Sequence, residues 1–241
     1  MEDIQAFIFD VFGTVVDWRT TIVEELSLQG DRCGASNEID WNEFAGEWRT
    51  AFWVATNEIA AGGDGPRSID ALHRKLLDTM LESEKWAEIG RLWGDEHRTI
   101  LTMAWHRLKA FPDSSPGLHL LKKSKIVAVL SNGNMRSLID LAKHSNLPWD
   151  VVLSTELFDT YKPNPKVYRG AAYHLSLEPS QCAMVAAHAF DVRSAASHGM
   201  KTVYVKRGED PPSMEVKSKK DGGEFDLVVD SIEELADLFA K

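Results

Sequence analysis

The 241-residue chain has few cysteines, fewer basic residues (27) than acidic ones (37) and no long apolar run, and each of these features disfavours some functions. Its two cysteines, Cys33 and Cys182, occur in neither a CxxC nor a Cys/His metal spacing, so we expect reduced thiols in a cytoplasmic protein. The formal charge of -10 disfavours binding to nucleic acid or to an anionic membrane. No stretch approaches the roughly 18 apolar residues of a membrane span.

Apolar runs of strand length recur along the chain and predict a parallel α/β sheet. The runs are Ala6–Phe9, Ile126–Leu130, Val151–Leu153, Ala183–Ala187, Thr202–Val205 and Leu227–Val229. After residue 112 they alternate with helical patterns at residues 135–145, 165–175 and 192–198. Alternation of fully apolar strands with helices is typical of a parallel sheet that is covered by helices.

About a hundred residues between the first two strands contain no strand pattern and predict an inserted helical module. The predicted helices are residues 20–29, 40–60, 68–82 and 85–105. We therefore divide the chain into a core domain, residues 1–17 and 111–241, and a helical cap, residues 18–110. Seven of the eight tryptophans fall in this cap, where we expect most of them to pack internally and a minority to line a pocket. Residues 207–223 are predicted to form a solvated loop.

Polar side chains follow four of the predicted strands, which suggests a site at one edge of the sheet. Asp10 ends the first strand, and Gly13 permits a sharp turn before Thr14. The later strands are followed by Ser131 and Asn132, by Lys162 and Tyr168, and by His188 and Asp191. Each residue alone is compatible with an ordinary turn or loop. Because the ligand crevice of an open α/β sheet lies outside the carboxyl ends of its strands, their coincidence predicts a shared site.

The four motifs DVFGT, LSNG, YKPNPKVY and a strand followed by an aspartate resemble those of the haloacid dehalogenase superfamily. The resemblance extends through the whole core. The inserted helices, with WRTAFW at residues 48–53, resemble the cap of the type II branch, the L-2-haloacid dehalogenases. The resemblance implies a Rossmann-like parallel sheet with an inserted helical cap. It also implies a small anionic substrate, no cofactor and a homodimer, which is frequent in that branch.

Two positions depart from the pattern of the superfamily phosphatases. Those enzymes carry a general acid where this chain has Phe12, and a metal-binding acid where it has Ala187. A departing halide needs no proton, and a Mg²⁺ site without paired carboxylates is poor. Metal-independent hydrolysis of (S)-2-haloalkanoic acids is therefore favoured. A hydrolase of another small acid or of a phosphate ester is the alternative, followed by a non-catalytic binding protein.

The resemblance also assigns roles to individual residues. Asp10 would attack the halogen-bearing carbon to form an ester, and Lys162, with Tyr168, would keep Asp10 deprotonated. The residues expected to hold the halide are Arg49, Asn132 and Phe190. The residues expected to hold Asp10 and the substrate carboxylate are Thr14 and Ser131.

The group that activates the hydrolytic water stays open at the level of the sequence. The best-known members of the branch carry SSNxxD where this chain reads AAHAFD, so that Ala186 and His188 replace a serine and an asparagine. If a helix begins there, His188 and Asp191 share one face and their side chains can meet. We expect either that His188 is the base, with Asp191 supporting it, or that His188 only donates a hydrogen bond.

Overall fold

A computed structural model describes Met1 and residues 3–239 and contains a six-stranded parallel sheet at its centre. The strands in these residues are β1 (Ala6–Phe9), β2 (Val16–Asp17), β3 (Lys109–Ala110), β4 (Ile126–Ser131), β5 (Val151–Ser154), β6 (Cys182–Ala186), β7 (Lys201–Val205) and β8 (Leu227–Val229). The sheet has the order β5-β4-β1-β6-β7-β8, and β2 pairs with β3 separately. The predicted parallel α/β sheet is thus confirmed.

The first strand lies at the middle of this sheet, which decides where the polar side chains meet. β1 is parallel to β4 on one side and to β6 on the other, and Phe9 is in register with Val129 and Val185. All four residues of β1 are completely buried, because helices cover both faces of the sheet. Asp10 therefore emerges beside the carboxyl ends of two neighbouring strands.

Helices make up most of the remaining structure. The helices between β2 and β3 are α1 (Trp18–Arg32), α2 (Trp41–Ala60), α3 (Ile69–Glu82), α4 (Ala87–Leu92) and α5 (Asp95–Ala104). Those that follow β3 are α6 (Ser114–Leu121), α7 (Met135–His144), α8 (Pro165–His174), α9 (Ala189–Ala196) and α10 (Ile232–Phe239). None of the helices in the described residues is long and apolar enough to cross a membrane.

One predicted helix is wrong, because residues 85–105 form two helices instead of one. α4 ends before Trp93, and Gly94 is the N-cap of α5 with an extended backbone. The guanidinium of Arg98 stabilises the break by donating hydrogen bonds to the carbonyl oxygens of Trp93, at 2.9 Å, and Gly90, at 3.1 Å. Residues 94–99, GDEHRT, contain no apolar side chain larger than glycine, so the sequence carried a sign of the break that was missed. The helices α6 and α10 and the pair β2–β3 were not predicted, although Ile232, Leu235 and Ala236 of α10 have helical spacing. The strands β2 and β3, with two residues each, are too short to show a period.

The inserted helices are attached to the sheet domain at several points. The two-residue strands β2 and β3 pair where the chain leaves the sheet and where it returns, with Asp17 opposite Lys109. Farther away, the buried imidazole of His106 lies 3.0 Å from Asp70 on α3 and 2.9 Å from Asp140 on α7. Burial opposes the charged imidazole, but these two carboxylates outweigh it and raise the pKa of His106. The exact limits of core and cap, at residues 17 and 110, stay a prediction.

Close packing of α6 against α10 yields a test of the fold. A Cβ added to Gly117 would lie 2.6 Å from the Ile232 carbonyl carbon, whereas one added to Gly46 on α2 would meet only Arg19, at 3.9 Å. We expect Gly117→Ala to destabilise the protein by about 1–3 kcal/mol through overpacking. The matched Gly46→Ala should be neutral or stabilising by up to about 1 kcal/mol, because both glycines are helical. Urea unfolding would measure both, and equal shifts would contradict the described packing.

Candidate active site

Asp10 is buried at the carboxyl end of β1, and both of its carboxylate oxygens accept a hydrogen bond. The hydroxyl of Thr14 donates to Oδ2 at 2.9 Å, and the ammonium of Lys162 donates to Oδ1 at 2.8 Å. The backbone N–H of Asp10 still belongs to the sheet, donating to Val185 at 3.0 Å. The carboxylate is therefore fixed on a rigid strand end.

The turn after Asp10 brings Thr14 back to the carboxylate. Three successive backbone N–H groups, those of Thr14, Val15 and Val16, donate to the carbonyl oxygen of Val11. Gly13 adopts a φ of +81°, which a residue with a Cβ rarely tolerates. The hydroxyl of Thr14 also accepts the N–H of Ala187 at 2.9 Å, which links the turn to the end of β6.

Behind Asp10, a buried chain of hydrogen bonds joins Lys162 to Asp191 and Tyr168. The Lys162 ammonium lies 2.5 Å from Oδ2 of Asp191, and the Tyr168 hydroxyl donates to Oδ1 at 2.7 Å. The backbone N–H of Lys162 donates to the side-chain oxygen of Asn132 at 2.9 Å. Each group comes from a different strand end or the following helix, so only the sheet topology brings them together.

The pKa values of Asp10, Asp191 and Lys162 follow from burial and from the lysine that the two carboxylates share. Burial favours the neutral form of Asp10, but Lys162, His188 and the two hydrogen bonds outweigh it and lower the pKa of this carboxyl. Burial and the nearby charge of Asp10 raise the pKa of Asp191. Burial also opposes the charge of Lys162, but the two carboxylates raise its pKa overall. Asp10 is therefore an anion, and Lys162 a cation, at neutral pH.

A cavity of about 490 Å³ opens in front of Asp10, between the edge of the sheet and helices α1 and α2. The residues predicted for the site that line it are Asp10, Arg49, Asn132, Lys162, His188 and Phe190. Phe12 also lines it. The predicted site is therefore assembled around a real crevice, with the anionic carboxylate at its base.

The guanidinium of Arg49 lies against the faces of two aromatic rings. Among the described residues, no carboxylate forms an ion pair with it. Its central carbon lies 5.5 Å from the ring centroid of Trp18 and 5.4 Å from that of Phe52. Burial lowers the pKa of Arg49, and the charges of Glu209 and then Asp10 oppose this change. Since the group stays cationic, its N–H donors are available to an anion in the cavity.

Three other residues predicted for the site, Thr14, Ser131 and Tyr168, lie outside the cavity lining. Thr14 and Ser131 are completely buried, and Ser131 accepts the N–H of Gly133 at 3.2 Å, which stabilises the turn after β4. Tyr168 is also completely buried and bonds to Asp191. These side chains support the residues around the cavity, and Thr14 holds Asp10 directly. The contact of Thr14 and Ser131 with the substrate carboxylate stays a prediction.

The contact between His188 and Asp191, which was predicted for the case that both lie in one helix, does not form. His188 has an extended backbone as the N-cap of α9, so the helical spacing does not apply to it. Its Nε2 donates to the carbonyl oxygen of Phe12 at 3.0 Å and lies 3.8 Å from Oδ2 of Asp10. Its ring is stacked 5.8 Å from that of Phe190. His188 therefore faces the Asp10 side of the cavity, while both oxygens of Asp191 are occupied behind it.

The sequence analysis missed the residues directly after β7, which were predicted to be solvated. Arg207 donates to the carbonyl oxygen of Thr14 at 3.1 Å and to Asp113 at 2.7 Å. Asp210 accepts the N–H of Ala189 at 2.7 Å. Glu209 accepts from the indole N–H of Trp18 at 3.2 Å. The sequence carried one signal for these residues: they follow another parallel strand at its carboxyl end, where a ligand crevice is expected.

Comparison with known proteins gives a consistent set of matches. Residues 4–199 match a family described as haloacid dehalogenase-like hydrolase. The chain is 29% identical to "(S)-2-haloacid dehalogenase 4A" of Burkholderia cepacia, over all of this chain and 97% of that protein. It is 30% identical to "(S)-2-haloacid dehalogenase 1" of Pseudomonas sp. (strain CBS-3), over 88% of each chain.

A solved structure shares the fold over nearly the whole chain. The "Defluorinating L-2-Haloacid Dehalogenase Rha0230" superposes with a TM-score of 0.87 and is 33% identical. The match covers 99% of this chain and 96% of that one. The inserted helices are therefore part of the similarity as well as the parallel sheet.

Removing the Thr14 hydroxyl should raise the pKa of Asp10. Thr14→Val deletes a hydrogen bond that favours the charged carboxylate, so Asp10 should take up its proton at a higher pH than in the wild type. The titration can be followed by ¹³C NMR of the aspartate carboxyl groups, with Asp10→Asn identifying the signal. Thr50→Val is the matched control, because this exposed hydroxyl donates only to Gly46. An unchanged Asp10 titration in Thr14→Val would refute the described contact.

Proposed function

The chain belongs to the haloacid dehalogenase-like hydrolases, and from this premise we propose that it is a hydrolytic (S)-2-haloacid dehalogenase. It converts short (S)-2-haloalkanoic acids to (R)-2-hydroxy acids. The observation that carries the proposal is an anionic Asp10 at the base of a cavity, with Phe12 at the position where the phosphatases of this superfamily have an acid. A nucleophile that lacks a second acidic residue two positions later suits a leaving group that departs as a stable anion.

In the first step, Asp10 attacks the carbon that bears the halogen. A new C–O bond forms as the carbon–halogen bond breaks, and the halide leaves with the electron pair. Each oxygen of Asp10 accepts one recorded hydrogen bond from the protein, so a lone pair remains for attack. Attack from the side opposite the halogen inverts the carbon and leaves an ester on Asp10.

Three cavity residues are proposed to hold the departing halide and the substrate carboxylate. Arg49 supplies a positive charge and a planar set of donors. The side-chain oxygen of Asn132 is occupied by the N–H of Lys162, so its amide nitrogen is the group that can donate. Phe190 lines the same cavity and can present the positive edge of its ring.

In the second step, water attacks the carbonyl carbon of the Asp10 ester, and we assign the base to His188. Because Nε2 of His188 donates to Phe12, its Nδ1 is the nitrogen that can accept a proton. Asp191 is completely buried, and both of its oxygens are bound to Lys162 and Tyr168. The acyl C–O bond then breaks, the hydroxy acid leaves, and Asp10 is restored with one oxygen from water.

Metal independence is part of the same proposal and rests on the residues present. Phe12 and Ala187 stand where the phosphatases of this superfamily carry acids, and the Asp191 carboxylate is already held by Lys162. Phosphate-ester hydrolysis, the alternative activity, would need a proton for its alkoxide leaving group. The homodimer and the cytoplasmic location stay predictions from the sequence and its resemblance.

Asp10→Asn should abolish halide release from (S)-2-chloropropionate, because the amide is a poor nucleophile. With excess wild-type enzyme in ¹⁸O water, a single turnover should place the label in Asp10 and leave the first product unlabelled. EDTA should change neither result. Asp159→Asn, which removes an exposed carboxylate, is the control for the change in charge.

Label in the first product would show that water attacks the substrate carbon, and the covalent mechanism would then be wrong. Activity that is lost with EDTA and restored by Mg²⁺ would refute metal independence. Turnover of 4-nitrophenyl phosphate faster than that of the haloacid would favour the alternative activity.

Replacing His188 should separate the two steps. His188→Ala and His188→Asn should each release one halide per active site and then stall as the Asp10 ester, which mass spectrometry detects as added mass. The asparagine keeps a hydrogen-bond donor but cannot take up the proton. His144→Asn, at an exposed position, should behave as the wild type. Full turnover by His188→Asn with the wild-type pH profile would show that His188 is not the base.

A further inference from the structure

The cavity contains more charged groups than the proposed reaction uses. Of the cations that line it, Lys162 is shared by two carboxylates, and Arg193 is paired with Glu224 at 2.6 Å. The remaining cations are Arg19 and Arg49, for which no ion pair is found in the described part of the chain. The positive charge that is open to a substrate therefore comes from two arginines.

Both arginines lie on the same buried indole, which also binds a carboxylate. The guanidinium carbon of Arg19 is 4.8 Å from the ring centroid of Trp18, and that of Arg49 is 5.5 Å from it. The indole N–H of Trp18 lies 3.2 Å from each carboxylate oxygen of Glu209. We call these four residues the Trp18 cluster. Its formal charge is +1, because Glu209 cancels one of the two arginines.

Glu209 is held firmly in this position. Its side chain occupies the space beside Gly13, where an added Cβ would fall 2.7 Å from the Glu209 carboxyl carbon. Neighbouring residues of the loop are fixed as well. Arg207 donates hydrogen bonds to Thr14 and Asp113, and Asp210 accepts one from Ala189. A fixed carboxylate therefore faces the cavity of an enzyme that we propose to act on anions.

We propose that Glu209 restricts the substrates of this enzyme to acids with a single negative charge. One substrate carboxylate neutralises the Trp18 cluster, whereas a second would leave an excess of negative charge beside Glu209 and Asp210. This inference rests on the proposed dehalogenase function and specifies its substrate class. Glu209 acts as a specificity-determining residue and takes no part in bond breaking.

The size of the cavity does not supply the same restriction. A cavity of about 490 Å³ lies within the range of about 300–1,000 Å³ that holds drug-sized ligands. A four-carbon 2-halo diacid is smaller than such ligands and is not excluded by volume. Charge is therefore the property that separates (S)-2-chlorosuccinate, a dianion, from (S)-2-chloropropionate, a monoanion.

The test compares kcat/KM for these two acids in the wild type and in Glu209→Gln. The amide keeps an oxygen that accepts from Trp18 while it removes the charge. We expect kcat/KM for chlorosuccinate, relative to chloropropionate, to rise by about tenfold, the size expected of one charge interaction at a partly exposed site. Unhalogenated succinate should also become a stronger competitive inhibitor relative to propionate. Glu209→Ala, which removes the charge without a new polar group, should shift the ratio in the same direction.

Glu215→Gln is the matched control, because it changes the net charge equally in the same loop at an exposed position outside the cavity lining. Its ratio of kcat/KM values should equal that of the wild type. A ratio within about twofold of the wild type in both Glu209 variants would overturn the role of Glu209. A wild-type protein that releases no chloride from chloropropionate would instead overturn the proposed function, so the two failures are distinguishable.

Discussion

The ammonium of Lys162 lies between the carboxylates of Asp10 and Asp191, and the remainder of the site is arranged around this buried cation. Two buried carboxylates without it would repel each other, and at least one would take up a proton. With the lysine in place, the pKa of Asp10 is lowered while that of Asp191 is raised. The anionic form is thus favoured at Asp10, the carboxylate that faces the cavity. Tyr168 completes the arrangement by occupying the second oxygen of Asp191.

The parallel sheet makes this arrangement possible. Groups that are far apart along the chain follow β1, β5 and β6, and strands that run in one direction deliver them to one edge. The same edge receives the loop after β7, whose Asp210 binds the first N–H of α9 while Glu209 reaches Trp18 on α1. The helices inserted after β2 then supply the opposite wall of the cavity, including Arg49. Nucleophile and anion-binding groups thus come from different parts of the chain.

Connections between the inserted helices and the sheet domain keep that wall in place. The His106 imidazole bridges carboxylates on α3 and α7, and Asn134 accepts the backbone N–H of Ile69 at 2.6 Å. Near the cavity, the rings of Trp18 and Trp105 are stacked with their centroids 6.0 Å apart. Most tryptophans of the inserted helices are buried, as predicted, and Trp18 and Trp53 line the cavity.

The sequence alone determined the parallel sheet, the inserted helices and most of the residues that meet at the carboxyl edge, because apolar periodicity is a local property and parallel strands deliver their carboxyl ends to one edge. Only the tertiary structure decided which of those residues face the cavity. Tyr168 and Asp191 turn inward to share a buried hydrogen bond, and His188 turns outward because it precedes α9 instead of lying within it. Glu209 was missed because the polar residues 207–223 were interpreted as a solvated loop, and only the tertiary structure places its carboxylate against Trp18, 191 positions away.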